Sequence, residues 1–424
     1  MGFWGKKKQF TRIPVEFLQP GMHVSLAERW LDHPFLLNEF TLESEEQIHL
    51  IQALGMTDVL WCETASNKGP RELAGPAPRG VTGADLVARA RTQRDERRRK
   101  SGNAMARASS AGKAYAAAAA QLRDAFAVAN TSPRTAVDKA KHIVADVAGA
   151  FSADEDISIV LLSDRVANSN LHTHAINVML LSLLIGKALR MSEGELNEVG
   201  LGALFHDVGK LKVPDAVRMK PEADWSKADH AYMQMHTELG AKMIFSLPEF
   251  GASARAAVAM HHEHWDGSGY PFKLAGEKIP LSARYTAVAD RYDDLCNPLR
   301  MEDGIAPAEA LSRMYKREGA RFDPAALTRF IKSMGVYPPG SLVELSNGAV
   351  GLVTSVNRDS TLRPLVTLWQ ENTKPADAPV IDLSLEPELS ISRSMRAAEL
   401  EPEVREYLNP RARAAYFYAK VSAS

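Results

Sequence analysis

Histidines crowd one stretch of this chain: of its twelve, eight lie between positions 172 and 264. They fall where apolar residues recur with helical spacing, as in Ile176, Met179, Leu180, Leu183 and Leu184. Carboxylates stand among them, in the order His174, His206-Asp207, His236, His261-His262 and Asp290. This pattern restricts the fold. It predicts an all-α domain that gathers several helix ends in one place, because imidazoles buried together are costly without polar partners.

Each spacing carries a separate expectation. His206-Asp207 closes an apolar helix, and Gly209 just after it reads as a helix stop. His261-His262 ends another helix, and neighbouring helical residues point about 100° apart. Two adjacent imidazoles therefore suit a site with two metals better than one metal holding both. The two oxygens of Asp207 allow it to bridge such a pair, and Asp290 on a further helix completes the shell. Imidazole and carboxylate without thiolate favour Fe, Mn or Zn. Lys210 lies three residues after Asp207, where an ammonium can hold a phosphate oxygen. The stretch Trp265-Asp266-Gly267-Ser268-Gly269-Tyr270-Pro271 is a turn that offers two aromatic faces to a base, with Trp265 read as a packing residue. The isolated histidines His23, His33, His49, His142, His172, His230 and His264 are read as ordinary core or surface residues.

At 424 residues the chain needs more than one core. Four stretches follow: an α+β accessory module over 1–65, a linker and helical connector over 66–133, the helical catalytic domain over 134–335, and a β appendage with a tail over 336–424. The fold class is mainly α. In the first module, strands are expected near Thr11–Val15, Met22–Leu26 and Asp58–Cys62, and a helix over Ser44–Leu54. The basic, alanine-rich stretch 84–128 reads as a solvated helix, since no heptad pattern persists in it; a signalling helix or dimer coiled coil is the sharper alternative. Three strands are expected between Ser341 and Gln370. A net charge of −1 gives no reason to expect a nucleic-acid polymer as partner. Two cysteines, Cys62 and Cys296, suit a reducing compartment. The longest apolar run, Ala175–Leu189, falls short of the roughly 20 residues of a membrane span. The expected location is the cytoplasm.

His206-Asp207 with Lys210, His236-Thr237-Glu238-Leu239-Gly240, His261-His262, Gly269-Tyr270-Pro271 and Ile279-Pro280-Leu281-Ser282-Ala283-Arg284 together resemble the HD-GYP family, a branch of the HD phosphohydrolase superfamily. The likeness runs from about His174 to Pro324. The front of the chain, with Ile13-Pro14-Val15, Pro20-Gly21-Met22, Trp30-Leu31 and Pro34-Phe35-Leu36, resembles a domain often fused to HD-GYP domains. The resemblance implies a helical HD-type bundle and hydrolysis of cyclic di-GMP to pGpG or GMP. It implies a binuclear or trinuclear centre of divalent metal ions, iron or manganese before zinc, nickel or magnesium. The implied ligands are His174, His206, Asp207, His236, His261, His262 and Asp290, with Lys210 and Asp207 in catalysis and Tyr270, Arg284 and Arg300 toward the substrate. It also implies diguanylate cyclase-type partners at the Gly-Tyr-Pro loop and leaves a homodimer open.

Three departures from the family pattern stand out. Asn170 replaces a glutamate that some members use for a third metal, which points to two. Cys296-Asn297-Pro298-Leu299-Arg300-Met301-Glu302 stands where many members carry Arg-Pro-Tyr-Lys/Arg, with Arg300 shifted by one residue. Phe272-Lys273-Leu274 lacks the glycine that usually follows Gly-Tyr-Pro by two residues. The expected chemistry is attack by a water made acidic by two cations. The alternatives are hydrolysis of another nucleotide and a non-catalytic cyclic di-GMP receptor.

Overall fold

A computed structural model describes residues 9–26, 33, 35, 38–71, 83–153, 157–162, 170–299, 303–357, 360–371, 373–375, 378–408 and 415–420. Trp30-Leu31, Pro34, Leu36 and Arg300, singled out above, lie outside the described residues, as does the side chain of Asn170. The chain divides into two compact units, Met1–Asn103 and Ala104–Ser424.

In the first unit, β1 (Phe10–Pro14), β2 (His23–Ser25), β3 (Glu39–Thr41) and β4 (Asp58–Cys62) form an antiparallel sheet in the order β1-β4-β2-β3. The helix α1 (Glu45–Ala53) begins where the Ser44 hydroxyl accepts from Gln47 N–H, and Glu45 and Glu46 sit in its first turn, the end the helix dipole favours for negative charge. Leu18, Met22, Val24, Ile48, Ile51 and Val59 fill the core between sheet and helix.

The helix α2 (Gly83–Ala129) departs from the solvated connector expected for this stretch from Ala111 onward. Ala111, Tyr115, Ala118, Leu122, Ala125, Phe126 and Ala129 are buried in the core of the second unit, and the Tyr115 hydroxyl bonds to Thr173 Oγ1 at 3.1 Å. Phe126 aside, these positions are four and three apart in alternation, which is a heptad stripe hidden by alanines.

The second unit continues with α3 (Pro133–Ala153), α4 (Asn170–Ala188), α5 (Glu193–Phe205), the short α6 (Asp215–Arg218), α7 (Lys227–Gln234), α8 (His236–Ile244), α9 (Ala252–Met260), α10 (Leu281–Cys296), α11 (Pro307–Lys316), α12 (Pro324–Met334) and, in the tail, α13 (Pro402–Leu408). At its centre lies α4, packed on α5, α10, α12 and α3. Its window Leu171–Ala188 is long and apolar enough to pass as a membrane span, but 72% of it is buried inside the protein. Each of its leucines, once buried, contributes about 1.5–3 kcal/mol. A reciprocal cap between Ser192 and Glu195 starts α5, which then runs apolar to its end at Phe205 and delivers His206.

Strand β5 (Ile157–Leu162) lies inside the segment read as purely helical. It joins β6 (Leu342–Leu345), β7 (Val350–Ser355), β8 (Leu365–Leu368), β9 (Val380–Asp382), β10 (Ile391–Met395) and β11 (Ala415–Lys420). Their order is β10-β6-β7-β5-β11, with β8 pairing β7 off this path and β9 pairing β8. The three strands expected after Ser341 are therefore part of a seven-stranded sheet that also takes a strand from ahead of the helical core. A short apolar run such as Ile159–Leu162 has no period to reveal it as a strand.

Candidate metal centre

The loop and helix ends converge on Asp207. Its carboxylate is 2% exposed, and neither oxygen accepts a well-directed hydrogen bond. Its two oxygens face different sides. Oδ2 lies 3.5 Å from His174 Nε2 and 3.4 Å from His206 Nε2. Oδ1 lies 3.3 Å from His236 Nε2 and 3.8 Å from His261 Nε2. Asp290 repeats the arrangement: Oδ1 is 3.1 Å from His174 Nε2, and Oδ2 is 4.0 Å from His262 Nδ1. All seven expected ligands are thus brought together, in two halves that share Asp207. One half is His174, His206 and Asp207, with Asp290 beside it; the other is Asp207, His236, His261 and His262.

The rings are aimed from behind. Nδ1 of His206 bonds to Ala203 O at 2.7 Å, that of His236 to Met233 O at 2.6 Å, and that of His261 to Ala257 O at 3.0 Å. Nδ1 of His174 bonds to Asp293 Oδ2 at 2.7 Å. Each of these Nδ1 atoms donates outward, so each Nε2 presents a lone pair inward. Two such pairs meet head on, His174 with His206 at 3.2 Å and His236 with His261 at 3.1 Å. In their neutral forms these rings turn lone pairs toward one another around a buried carboxylate, a donor set that fits divalent cations.

Electrostatics divides the two halves: against its burial, Asp290 and Asp293 raise His174 well above the ordinary imidazole range. Burial, first, lowers His236 to about 4 and His262 to about 3, so both are neutral near pH 7. Burial also acts on His206, but Asp207 and Asp290 outweigh it and raise the group to about 9. Burial would raise Asp207; His206 and Lys210 overcome it and hold the carboxyl well below its ordinary range. Lys210 stands in a 3-10 turn over Val208–Lys212, with Nζ 2.5 Å from Asp207 Oδ2.

Gly209 has another role than the helix stop expected of it. A Cβ there would overlap the carbonyl oxygen of His236 and the backbone nitrogen of Gly240. The turn carrying Lys210 packs directly on the backbone of α8, and only glycine permits that approach.

The Gly-Tyr-Pro loop is held by Glu263, which is 2% exposed. Its carboxylate accepts from Phe272 N–H at 2.6 Å and from Leu274 N–H at 2.8 Å. Tyr270 stacks on His262 with ring centroids 4.8 Å apart. Lys273, which stands where the family glycine would be, has φ of 56°. The left-handed backbone is kept although a side chain now occupies it.

Arg284 is placed otherwise than the resemblance implies. It donates to Ile279 O at 2.5 Å, Glu277 O at 2.7 Å and Asp323 Oδ2 at 3.0 Å, and its guanidinium lies 5.0 Å from the Trp265 ring. These bonds tie the loop before α10 to the cap of α12. Arg284 frames the site rather than facing a substrate phosphate. Sequence reasoning missed Asp293, Asp294 and Asn177. Asp293 bonds to His174 and Asn177 bonds to Asp293, and Asp294 brings a further carboxylate beside His174 and Asp290. The available signal was their spacing, Asn177 three residues after His174 and Asp293 three after Asp290.

Known proteins match this architecture. The HD domain family matches residues 157–326, a domain of unknown function (DUF3391) matches 10–140, and a KOW domain associated with HD domain matches 342–403. The chain is 30% identical over 381 residues to cyclic di-GMP phosphodiesterase PA4108 of Pseudomonas aeruginosa, covering 88% of each. It is 33% identical over 150 residues to the cyclic di-GMP phosphodiesterase response regulator RpfG of Xanthomonas campestris pv. campestris, covering 35% of this chain and 39% of that one. It is 34% identical over 135 residues to 3'3'-cGAMP-specific phosphodiesterase 2 of Vibrio cholerae, covering 32% of this chain and 26% of that one. Among solved structures, Bd1817, an HDG"Y"P protein from Bdellovibrio bacteriovorus, is similar at a TM-score of 0.43 and 15% identity, covering 76% of this chain and 98% of that one. On the identity sustained across nearly all of PA4108, together with the His-Asp and Gly-Tyr-Pro motifs in place, this chain belongs to the HD-GYP family of HD-domain proteins.

Proposed function

We propose that this protein is a metal-dependent phosphodiesterase that hydrolyses cyclic di-GMP to pGpG, GMP or both. The observation that carries this reading is the buried carboxylate of Asp207, paired with the Lys210 ammonium and with a separate pair of imidazoles before each oxygen. In this reading His174, His206, Asp207 and Asp290 hold one divalent cation, and Asp207, His236, His261 and His262 hold a second, with iron or manganese as the metal. Two such cations supply a water of lowered pKa and a Lewis acid for a phosphoryl oxygen.

The chain's own groups do the rest. Lys210 keeps its proton, since Asp207, Asp294 and Asp290 outweigh its burial. Its ammonium stands at the mouth of the site, 23% exposed, where it meets the negative charge of a phosphodiester and the added charge of its transition state. The Tyr270 ring covers His262 and presents its other face to a guanine base.

Replacing Lys210 by Met removes the charge and keeps the length. The expected result is a fall in kcat of about 10²–10³-fold with the metal content unchanged, read by steady-state kinetics and elemental analysis. An unchanged kcat removes Lys210 from the mechanism.

A second reading changes the substrate only. A relative acting on 3'3'-cGAMP matches this chain, and Asn297-Pro298-Leu299 stands where the family usually carries base- and phosphate-binding residues. Purified protein reconstituted with Mn²⁺ and given cyclic di-GMP, 3'3'-cGAMP and cyclic di-AMP at equal concentrations separates the two. The first is expected to turn over fastest. A preference for 3'3'-cGAMP selects the second reading, and no product from any of them overturns the enzymatic one.

A further inference from the structure

The last strand of the chain is wired to the first half of the site. Tyr416 N–H in β11 donates to Asn177 Oδ1 at 3.0 Å. The Asn177 amide donates to Asp293 Oδ1 at 2.7 Å, and Asn297 Nδ2 donates to the same oxygen at 2.8 Å. Asp293 Oδ2 accepts from His174 Nδ1 at 2.7 Å. Asn177, Asp293 and Tyr416 are fully buried, each at 0% exposure.

The chemistry leaves one orientation for Asn177. A backbone N–H can only donate and a carboxylate can only accept, so the amide oxygen faces β11 and the NH₂ faces Asp293. Asp293 is a buried carboxylate, which is tolerable only while donors surround it. Once held, it fixes the tautomer and ring angle of His174, the task that carboxylates behind metal-binding histidines perform. The other rings of the site with backbone anchors draw them from carbonyls only three or four residues away in sequence. His174 instead depends on a chain of side chains ending 239 residues from Asn177.

We propose that Asn177 is a positioning residue for the half of the centre built on His174, and that the C-terminal strand is the support it hangs from. This rests on the two-metal reading above. The test is a titration of chelator-treated full-length protein with Mn²⁺, with free ion followed by electron paramagnetic resonance. The wild type is expected to take up two ions. In Asn177→Ala one of them should bind about 10–100-fold more weakly, while the affinity for the other stays at its wild-type value. A residue of merely structural importance would weaken both ions alike along with the unfolding midpoint. That outcome, or two ions bound with wild-type affinity, overturns the proposal. Should Asn177→Ala not fold, Asp293→Asn undergoes the same titration with the same two outcomes. A wild type that fails to take up two ions defeats the metal-centre reading itself, and this inference with it.

Discussion

Replacing Asp207 by Ala is expected to abolish cyclic di-GMP hydrolysis, a fall of at least about a thousandfold, and to strip both metal ions at once. The size follows from geometry. Most ligands serve one half of the site, but the two oxygens of Asp207 face different halves. Losing it removes a charged donor from each, and with them a contribution of several kcal/mol to the barrier, where each 1.4 kcal/mol is about tenfold. Asp207→Asn separates charge from shape: it keeps the volume of the side chain but withdraws the negative charge between four imidazoles and Lys210. Both variants should show full helical content by circular dichroism with near-zero bound metal. Turnover at even a tenth of the wild-type rate in a folded, metal-free Asp207→Ala protein would end the two-metal account.

Gly209→Ala should be nearly as damaging, although Gly209 bonds to no ligand. The added methyl has nowhere to go, because the backbone of His236 and Gly240 already occupies its place. Forced overpacking of this kind costs about 3 kcal/mol at the upper end of its usual range. Relief requires α8 to shift, and α8 begins with His236. The expected result is a lowered urea midpoint together with loss of the ion held by His236, His261 and His262, while the ion on the His174 side is retained. An unaltered midpoint would show that the turn and α8 can separate without strain. Gly209→Ala and Asn177→Ala therefore empty opposite halves, and comparing them tests whether the centre has two halves at all.

The ligand set was legible because its residues are chemically unusual and stand at helix ends. A histidine beside an aspartate, followed by a lysine three residues on, is conspicuous in any register. What surrounds the ligands was less legible. Asn177 sits in an apolar helix where an amide looks like an interruption, and its purpose shows only when Tyr416 is folded against it. Arg284 was placed toward the substrate by the family resemblance alone; its carbonyl partners at Ile279 and Glu277 are invisible until the loop is built. The second half of α2 was hidden for a compositional reason. Alanine carries little hydrophobic signal, yet at Ala111, Ala118, Ala125 and Ala129 its small size is what allows close packing. In the first module, by contrast, the Ser44 cap and the turn at Gly21, where φ is 98°, place α1 and the β2 strand with little left to tertiary context.

The pairing of β5 with β11, from Ala415 against Leu162 to Lys420 against Ile157, has a consequence for synthesis on the ribosome. At about 5–20 residues per second, Ile157–Leu162 emerges some 10–50 s before its neighbour exists. Among the described residues its only other bridge is the single register position Val160 opposite Ser355, itself translated late. A nascent chain thus carries an open, apolar strand edge through most of its elongation, a template for association with other nascent chains. Polysomes making this protein should therefore draw heavily on ribosome-associated chaperones, and codon changes that slow the final third of translation should lower soluble yield without altering the finished enzyme.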